Sequence, residues 1–168
     1  MVPERREDGQ ERQHRDIVRK RGWSQRASEE ITLRRDKMTN NGKYSLGIVD
    51  GRLAPCPNKP NCVSSQAAAS DKKHYIEALT YSGDSSQARE RLERAIAGMK
   101  RARLVERQAN YWRADFRSAL WRFVDDVEFQ FDDNTRRIDI RSAARVGYSD
   151  FGVNRRRMEE IRRRFSDQ

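Results

Sequence analysis

The chain has 168 residues, 35% of them hydrophobic and 37% charged, with a formal net charge of +10. That length allows one domain with a real core, and so polar a composition points to a solvated segment outside it. No apolar run is long enough to span a membrane as a helix and the first residues lack the hydrophobic centre of a secretory signal, so no transmembrane segment and a cytoplasmic chain are expected.

Residues 1–37 mix Lys and Arg with Asp and Glu around a few scattered apolar residues, and are expected to be a disordered extension. At Met38 the composition turns to Gly, Asn and Pro, which makes Met38 a candidate native start or a domain boundary. Residues 38–73, including CPNKPNC, read as an ordered Pro/Gly-rich loop segment, and residues 74–168 as the core. The stretch HYIEALTY, with Tyr75, Ala78 and Leu79, predicts a strand. In the next stretch Ala88, Leu92, Ala95, Ile96 and Met99 fall on one helical face, with Asp84 or Ser85 able to cap the helix.

RLVERQANYWRADFR alternates on both sides of Ala109 and Asn110 and predicts a hairpin, with Val105 opposite Ala114 towards the core and Glu106 opposite Arg113 towards water. A second hairpin follows, in which Trp121, Phe123, Val127, Phe129 and Phe131 share a face and DDNT turns the chain into Ile138 and Ile140. With Asp133 and Asn134 at the turn's centre, Phe129 pairs with Ile138, Val127 with Ile140, Asp126 with Arg141 and Asp125 with Ser142. That register also sets Glu128 against Asp139, which counts against it. Met158, Ile161 and Phe165 predict a final amphipathic helix, supported by Glu159–Arg163 and Glu160–Arg164 pairs. The order β-α-β-β-β-β-α implies a two-layer α+β domain, an antiparallel sheet of about five strands with both helices on one face.

The segments GRLAPCPNKPNCVSSQA, FVDDVEF and IRSAARVGYSDFGVNRRRMEEIR, in this order and spacing, resemble the hallmark motifs of a bacterial and plastid family, the domain of unknown function 1499, over about residues 45–165. The residues that carry the likeness include Cys56, Cys62, Ser64, Ser65, Asp125, Asp126, Arg141, Ser142, Arg145, Tyr148, Ser149, Asp150, Gly152 and Asn154. The resemblance implies a domain type and no activity, so function has to be argued from the site.

The two cysteines flank a proline-stiffened loop. A disulfide is geometrically allowed, but in a chain without a secretory signal reduced, buried thiols anchoring the loop are expected. Zinc would need two more ligands with only His74 near, so no metal and no cofactor is expected. Asp125 interrupts an apolar face and therefore needs a partner: Ser142, loop amides or an arginine in a structural reading, or a pocket in which it serves as acid or base. Arg141 and Arg145 share a face of the last strand, which leads through GYSDFG into a helix starting near Gly152 or Val153. Its N-terminal amides, with Arg141, Arg145, Tyr148, Ser149 and Asn154, could hold a small anion, with Ser64 and Ser65 closing over it. Alternatively Asp150 or Asn154 caps the helix, and an Arg141–Asp126 pair is plain structure. Arg155, Arg156 and Arg157 lie in the first turn, where the helix dipole disfavours cations. The expectation is a small-anion-binding or interaction module. The alternatives are an enzyme using Asp125 on a small anionic substrate, and a basic surface for an acidic protein partner or, with less support from such interspersed charge, nucleic acid.

Overall fold

The computed structural model describes residues 45–118 and 123–167. The charged segment 1–37, the boundary at Met38 and the inward-facing position assigned to Trp121 lie outside the described residues. The chain opens with a short hairpin, β1 (Ile48–Val49) and β2 (Arg52–Leu53), followed by β3 (Cys62–Ser64) and β4 (Leu79–Thr80). Helix α1 (Ser85–Ala97), strands β5 (Ala102–Arg107), β6 (Tyr111–Arg117), β7 (Val124–Asp132) and β8 (Arg137–Ala144), and helix α2 (Val153–Ser166) complete the order. Strands β3 to β8 form one antiparallel sheet in the order β3-β8-β7-β6-β5, with β4 also on β8. Cys62 faces Ala143 and Leu79 faces Ile138, so β3 and β4 lie end to end along the edge of β8 as one interrupted row. The domain is thus the expected α+β arrangement of antiparallel sheet and two helices.

Both helices bury their apolar stripes on one face of this sheet. Ala88, Leu92, Ala95 and Ile96 of α1 and Met158, Ile161 and Phe165 of α2 join Trp112, Phe116, Val127, Phe129, Phe131, Ile138 and Ile140 in a single core. Asp84 caps α1, its carboxylate accepting from the Ser86 amide at 2.6 Å. On α2, Glu160 pairs with Arg164 as expected and also with Arg163. Glu159 reaches Arg162, three residues on, instead of Arg163.

The registers depart from expectation in two places. In the first hairpin Glu106 does face Arg113, but a bulge between Leu104 and Glu106 puts Leu104 opposite Ala114 and leaves Val105 exposed. In the second, Phe129 pairs with Ile140, Phe131 with Ile138, Val127 with Ser142, Glu128 with Arg141 and Asp126 with Ala143. The turn spans residues 133–136, longer than assumed, because Asp132 accepts from the amides of Asn134 and Thr135 and from the Thr135 hydroxyl. Phe123 precedes the strand and lies exposed instead of joining the apolar face. Within the loop segment, β3 adds an edge to the sheet.

The cysteines correct the expectation of reduced thiols. Cys56 and Cys62 form a disulfide, the turn through Pro57 and Pro60 bringing their Cα atoms to 5.6 Å. Closing so short a loop removes freedom from the unfolded chain, so replacing both cysteines by serine should lower stability by about 2 kcal/mol on the chain-entropy estimate. Denaturant unfolding of the two forms checks this, and thiol titration of the unfolded, unreduced protein should find no free thiol.

Candidate functional site

The face of the sheet turned away from the helices is polar, and much of it is enclosed. Alternation sends Tyr111, Arg113 and Asp115 of β6, Asp126 and Glu128 of β7, and Arg141 of β8 to this side, where Arg145, just past the end of β8, joins them. Glu128 and Arg141 are both inaccessible and paired with each other. Glu128 also accepts from the Tyr111 hydroxyl at 2.8 Å and from the Gly47 amide at 2.6 Å. Burial, reinforced by the neighbouring Glu128 charge, pushes the Tyr111 hydroxyl far above its ordinary range, so it stays a donor. One row along, the enclosed Asp126 accepts from Arg113 at 2.9 Å and from Arg145 at 2.7 and 2.8 Å. Asp115 accepts from the same two arginines at 3.0 and 2.8 Å. Removing such ions from water costs several kcal/mol each, and only this density of charge-assisted bonds makes the layer tenable. The expected Arg141–Asp126 pair is therefore replaced by Arg141–Glu128, a consequence of the register.

Asp125 points the other way, towards the helices. Arg157 donates to it at 2.6 Å and to the Ser142 hydroxyl at 3.1 Å, with its guanidinium 4.9 Å from the centre of the Phe116 ring. Ser142 in turn bonds Asn154, whose amide nitrogen donates to the Asn61 carbonyl at 3.1 Å. The Asn61 side chain reaches the Gly147 carbonyl at 2.9 Å. This chain of bonds fastens α2 and the turn before it to β3 and β8. Burial raises the Asp125 carboxyl above its usual range, against the pull of the Arg157 guanidinium.

The turn into α2 supplies its own anion. Asp150 accepts from the amides of Gly152 and Asn154 at 2.9 and 2.8 Å, so the expected capping role falls to Asp150 while Asn154 is buried beneath. Gly152 sits at φ 76°, a left-handed conformation that admits glycine without penalty. The arginines of the first turn find different partners. Arg155 donates to the carbonyls of Lys72 and Lys73, Arg156 to that of Phe151, and Arg157 to Asp125. The residues expected around an anion are thus dispersed: Arg141 is enclosed, Arg145 engages Asp126 and Asp115, Asn154 lies in the interior, and Tyr148 and Ser149 stand at the surface.

An open cleft of about 580 Å³ lies elsewhere, between the β1–β2 hairpin and residues 64–74. Ser64, Gln66, Asp71 and His74 face it from one side; Val49, Asp50, Arg52, Leu53, Pro55 and Cys56 form the other. Ser65 does not line it, because its hydroxyl donates to Asp139 at 2.6 Å and accepts from the Ile140 amide at 2.9 Å. His74 has Nδ1 on Asp71 at 2.7 Å and Nε2 on the Lys59 carbonyl at 3.0 Å. With both ring nitrogens engaged, His74 has no position left from which to activate a nucleophile. The His74 hydrogen bond holds the Asp71 carboxyl below its usual range. Among the described residues no three His, Cys, Asp or Glu side chains come together to hold a metal ion. Arg52 and Gln66 were not singled out in the sequence, since no short motif marks an arginine and a glutamine brought together by a hairpin.

Two measurements probe this arrangement. Glu128→Ala leaves Arg141 buried without its carboxylate and should cost about 3–5 kcal/mol in urea unfolding, whereas Glu128→Gln, which can still accept from Tyr111 and Gly47, should cost less. For Asp125 the folded carboxyl titrates above its unfolded value of 3.8, so its contribution to stability is complete below that pH and is lost as pH rises through the elevated folded value. Asp125→Asn should therefore remove this loss, and the difference in unfolding free energy between wild type and variant should change across the acid range in that sense.

A comparison with the curated proteins finds no match. The family model described as Protein of unknown function (DUF1499) matches residues 52–165, from β2 through the disulfide loop to the last turn of α2. The match spans more than half of the chain and takes in all the motifs that bear the resemblance, and the chain belongs to the DUF1499 family.

Proposed function

We propose that this domain is a binding module whose cleft receives a small molecule bearing one anionic group, and that it is not an acid–base enzyme centred on Asp125. The observation that carries the reading is the coincidence of open volume with unsaturated donors. Arg52 uses one guanidinium nitrogen on the Gln66 carbonyl at 2.9 Å, and Arg52 is otherwise exposed at the cleft wall. The Ser64 oxygen accepts from the Gln66 amide at 3.2 Å, which leaves its proton to donate. A guanidinium and a hydroxyl suit a carboxylate or phosphate oxygen, and Val49, Leu53 and Pro55 suit an apolar body attached to it. Two carboxylates line the cleft: Asp50 stands exposed on the hairpin turn beside Arg52, and Asp71, drawn to His74 and to the amides of Lys73 and His74, is the less repulsive for being so engaged.

The enzymatic alternative finds less support, because Asp125 is held by Arg157 in a filled interior and does not line the cleft. A basic groove for nucleic acid is likewise disfavoured along α2, where Arg162, Arg163 and Arg164 are matched by Glu159, Glu160 and Asp167.

A thermal-shift screen of the full chain against phosphate, sulfate and small aliphatic and aromatic carboxylates tests the reading. Ligand at about a hundred times its Kd should stabilise the folded state by about 2.7 kcal/mol and raise Tm by several degrees. Arg52→Ala should unfold at the wild-type temperature without ligand and lose the shift. A shift that survives in Arg52→Ala, or none with any anion, would overturn it.

A further inference from the structure

We propose that the end of the sheet bearing the turn 145–153 docks on an anionic lipid surface. This surface uses none of the residues that line the cleft. Four large apolar side chains stand out here: Phe151 is 87% exposed, Tyr148 69%, Val146 55% and Phe123 52%. The two stretches are neighbours, because the Arg145 amide donates to the Val124 carbonyl at 3.4 Å and Phe123 immediately precedes Val124.

The turn that presents Phe151 is braced rather than loose. Asp150 ties the amides of Gly152 and Asn154, Asn61 holds the Gly147 carbonyl, and Arg156 holds the carbonyl of Phe151 itself. Phe151 adopts φ 52°, a left-handed conformation unfavourable for a bulky side chain, and its ring is left almost wholly in water. Strain that gains no internal packing is explained when the side chain has a partner outside the molecule.

Charge completes the surface. Arg117 faces Val124 in the ladder, and Arg101 donates to the Arg117 carbonyl at 3.2 Å. Together with Arg156 these arginines have no carboxylate partner among the described residues, in contrast to Arg162, Arg163 and Arg164 at the far end of α2. Separate aromatic and aliphatic side chains at this end of the sheet, with Arg156 on the Phe151 carbonyl and Arg117 and Arg101 at the adjoining strand ends, match the membrane interface. There the rings enter the headgroup boundary and arginines meet lipid phosphates and carboxylates. A stable protein interface would ask for roughly 800 Å² on each partner and a more continuous patch.

Flotation of the full chain with phosphatidylcholine vesicles, with and without phosphatidylserine, is the test. Wild type should float with the phosphatidylserine vesicles and release as salt is raised. Phe151→Ser with Tyr148→Ser should weaken binding about tenfold or more while circular dichroism and Tm stay unchanged. Arg101→Gln with Arg117→Gln should remove most of the preference for anionic lipid. Arg163→Gln, far along α2, and Arg52→Ala, in the cleft, should bind vesicles as wild type does. Absence of flotation, or flotation insensitive to the Phe151 and Tyr148 changes, would overturn the proposal. So would loss of self-association in lipid-free light scattering by the same variants, which would assign the surface to a second copy of the chain. None of these outcomes bears on the anion shift that depends on Arg52.

Discussion

The Glu128–Arg141 pair is the constraint on which the rest of the sheet depends. A strand's side chains repeat every two residues, so a slip of one residue exposes the core and is forbidden, but a slip of two preserves every inward and outward assignment. Apolar patterning therefore leaves the β7–β8 register undecided between Phe129 opposite Ile138 and Phe129 opposite Ile140. Charge decides it. The first alternative places Glu128 against Asp139; the observed one places Glu128 against Arg141, Gln130 against Asp139 and Asp132 against Arg137. Like charges side by side in an enclosed layer cost far more than at a solvated surface, and the observed pairing exchanges that repulsion for a buried ion pair.

The legible parts of the fold are those set by local periodicity. The stripe from Ala88 to Ile96, the Asp84 cap, the alternation of Val127, Phe129 and Phe131, and the spacing of Met158, Ile161 and Phe165 each follow from neighbours within one element. What was not legible came from contacts distant in the chain. The bulge beside Val105 leaves the alternating sequence unchanged while rotating the side chain outward. Strand β3 exists because β8 offers an edge, not because CVS is a strong strand former. Glu128 stands in the alternation on the face away from the helices, and it is enclosed there by partners distant in the chain: Tyr111, Arg141 and the amide of Gly47. The disulfide was a matter of compartment in the sequence and of loop geometry in the structure.

The arginine-rich C-terminal segment illustrates how residues of one type can do different work. Arg141 and Arg145 neutralise carboxylates of the enclosed layer, and Arg157 turns inward to Asp125 and locks the helix to the sheet. Arg155 and Arg156 answer backbone carbonyls without being neutralised, Arg155 reaching across to Lys72 and Lys73 and Arg156 folding back to Phe151 beside the start of the helix. Their shared composition suggested one positive site, but the period of a strand followed by that of a helix sends successive arginines to opposite sides of the domain.

The same enclosed layer also shapes the cleft. Glu128 holds the Gly47 amide and Gln130 holds the Gly51 carbonyl at 2.7 Å, so β7 pins both ends of the β1–β2 hairpin. From the other side Gln66 accepts from the Leu53 amide at 2.8 Å and donates to Gln130 and Asp139. Val49, Arg52 and Leu53, which wall the cleft, are therefore positioned by carboxylates and amides on β7 and β8 rather than by apolar burial of a hairpin too short to bury much itself. Loss of the Glu128 anchor would loosen that wall as well as destabilise the sheet, which couples the cleft to the ion pair that sets the register. Arg52, by contrast, contributes to this wall only one exposed side-chain bond, to the Gln66 carbonyl at 2.9 Å, so its removal should cost folding little while removing the guanidinium from the cleft.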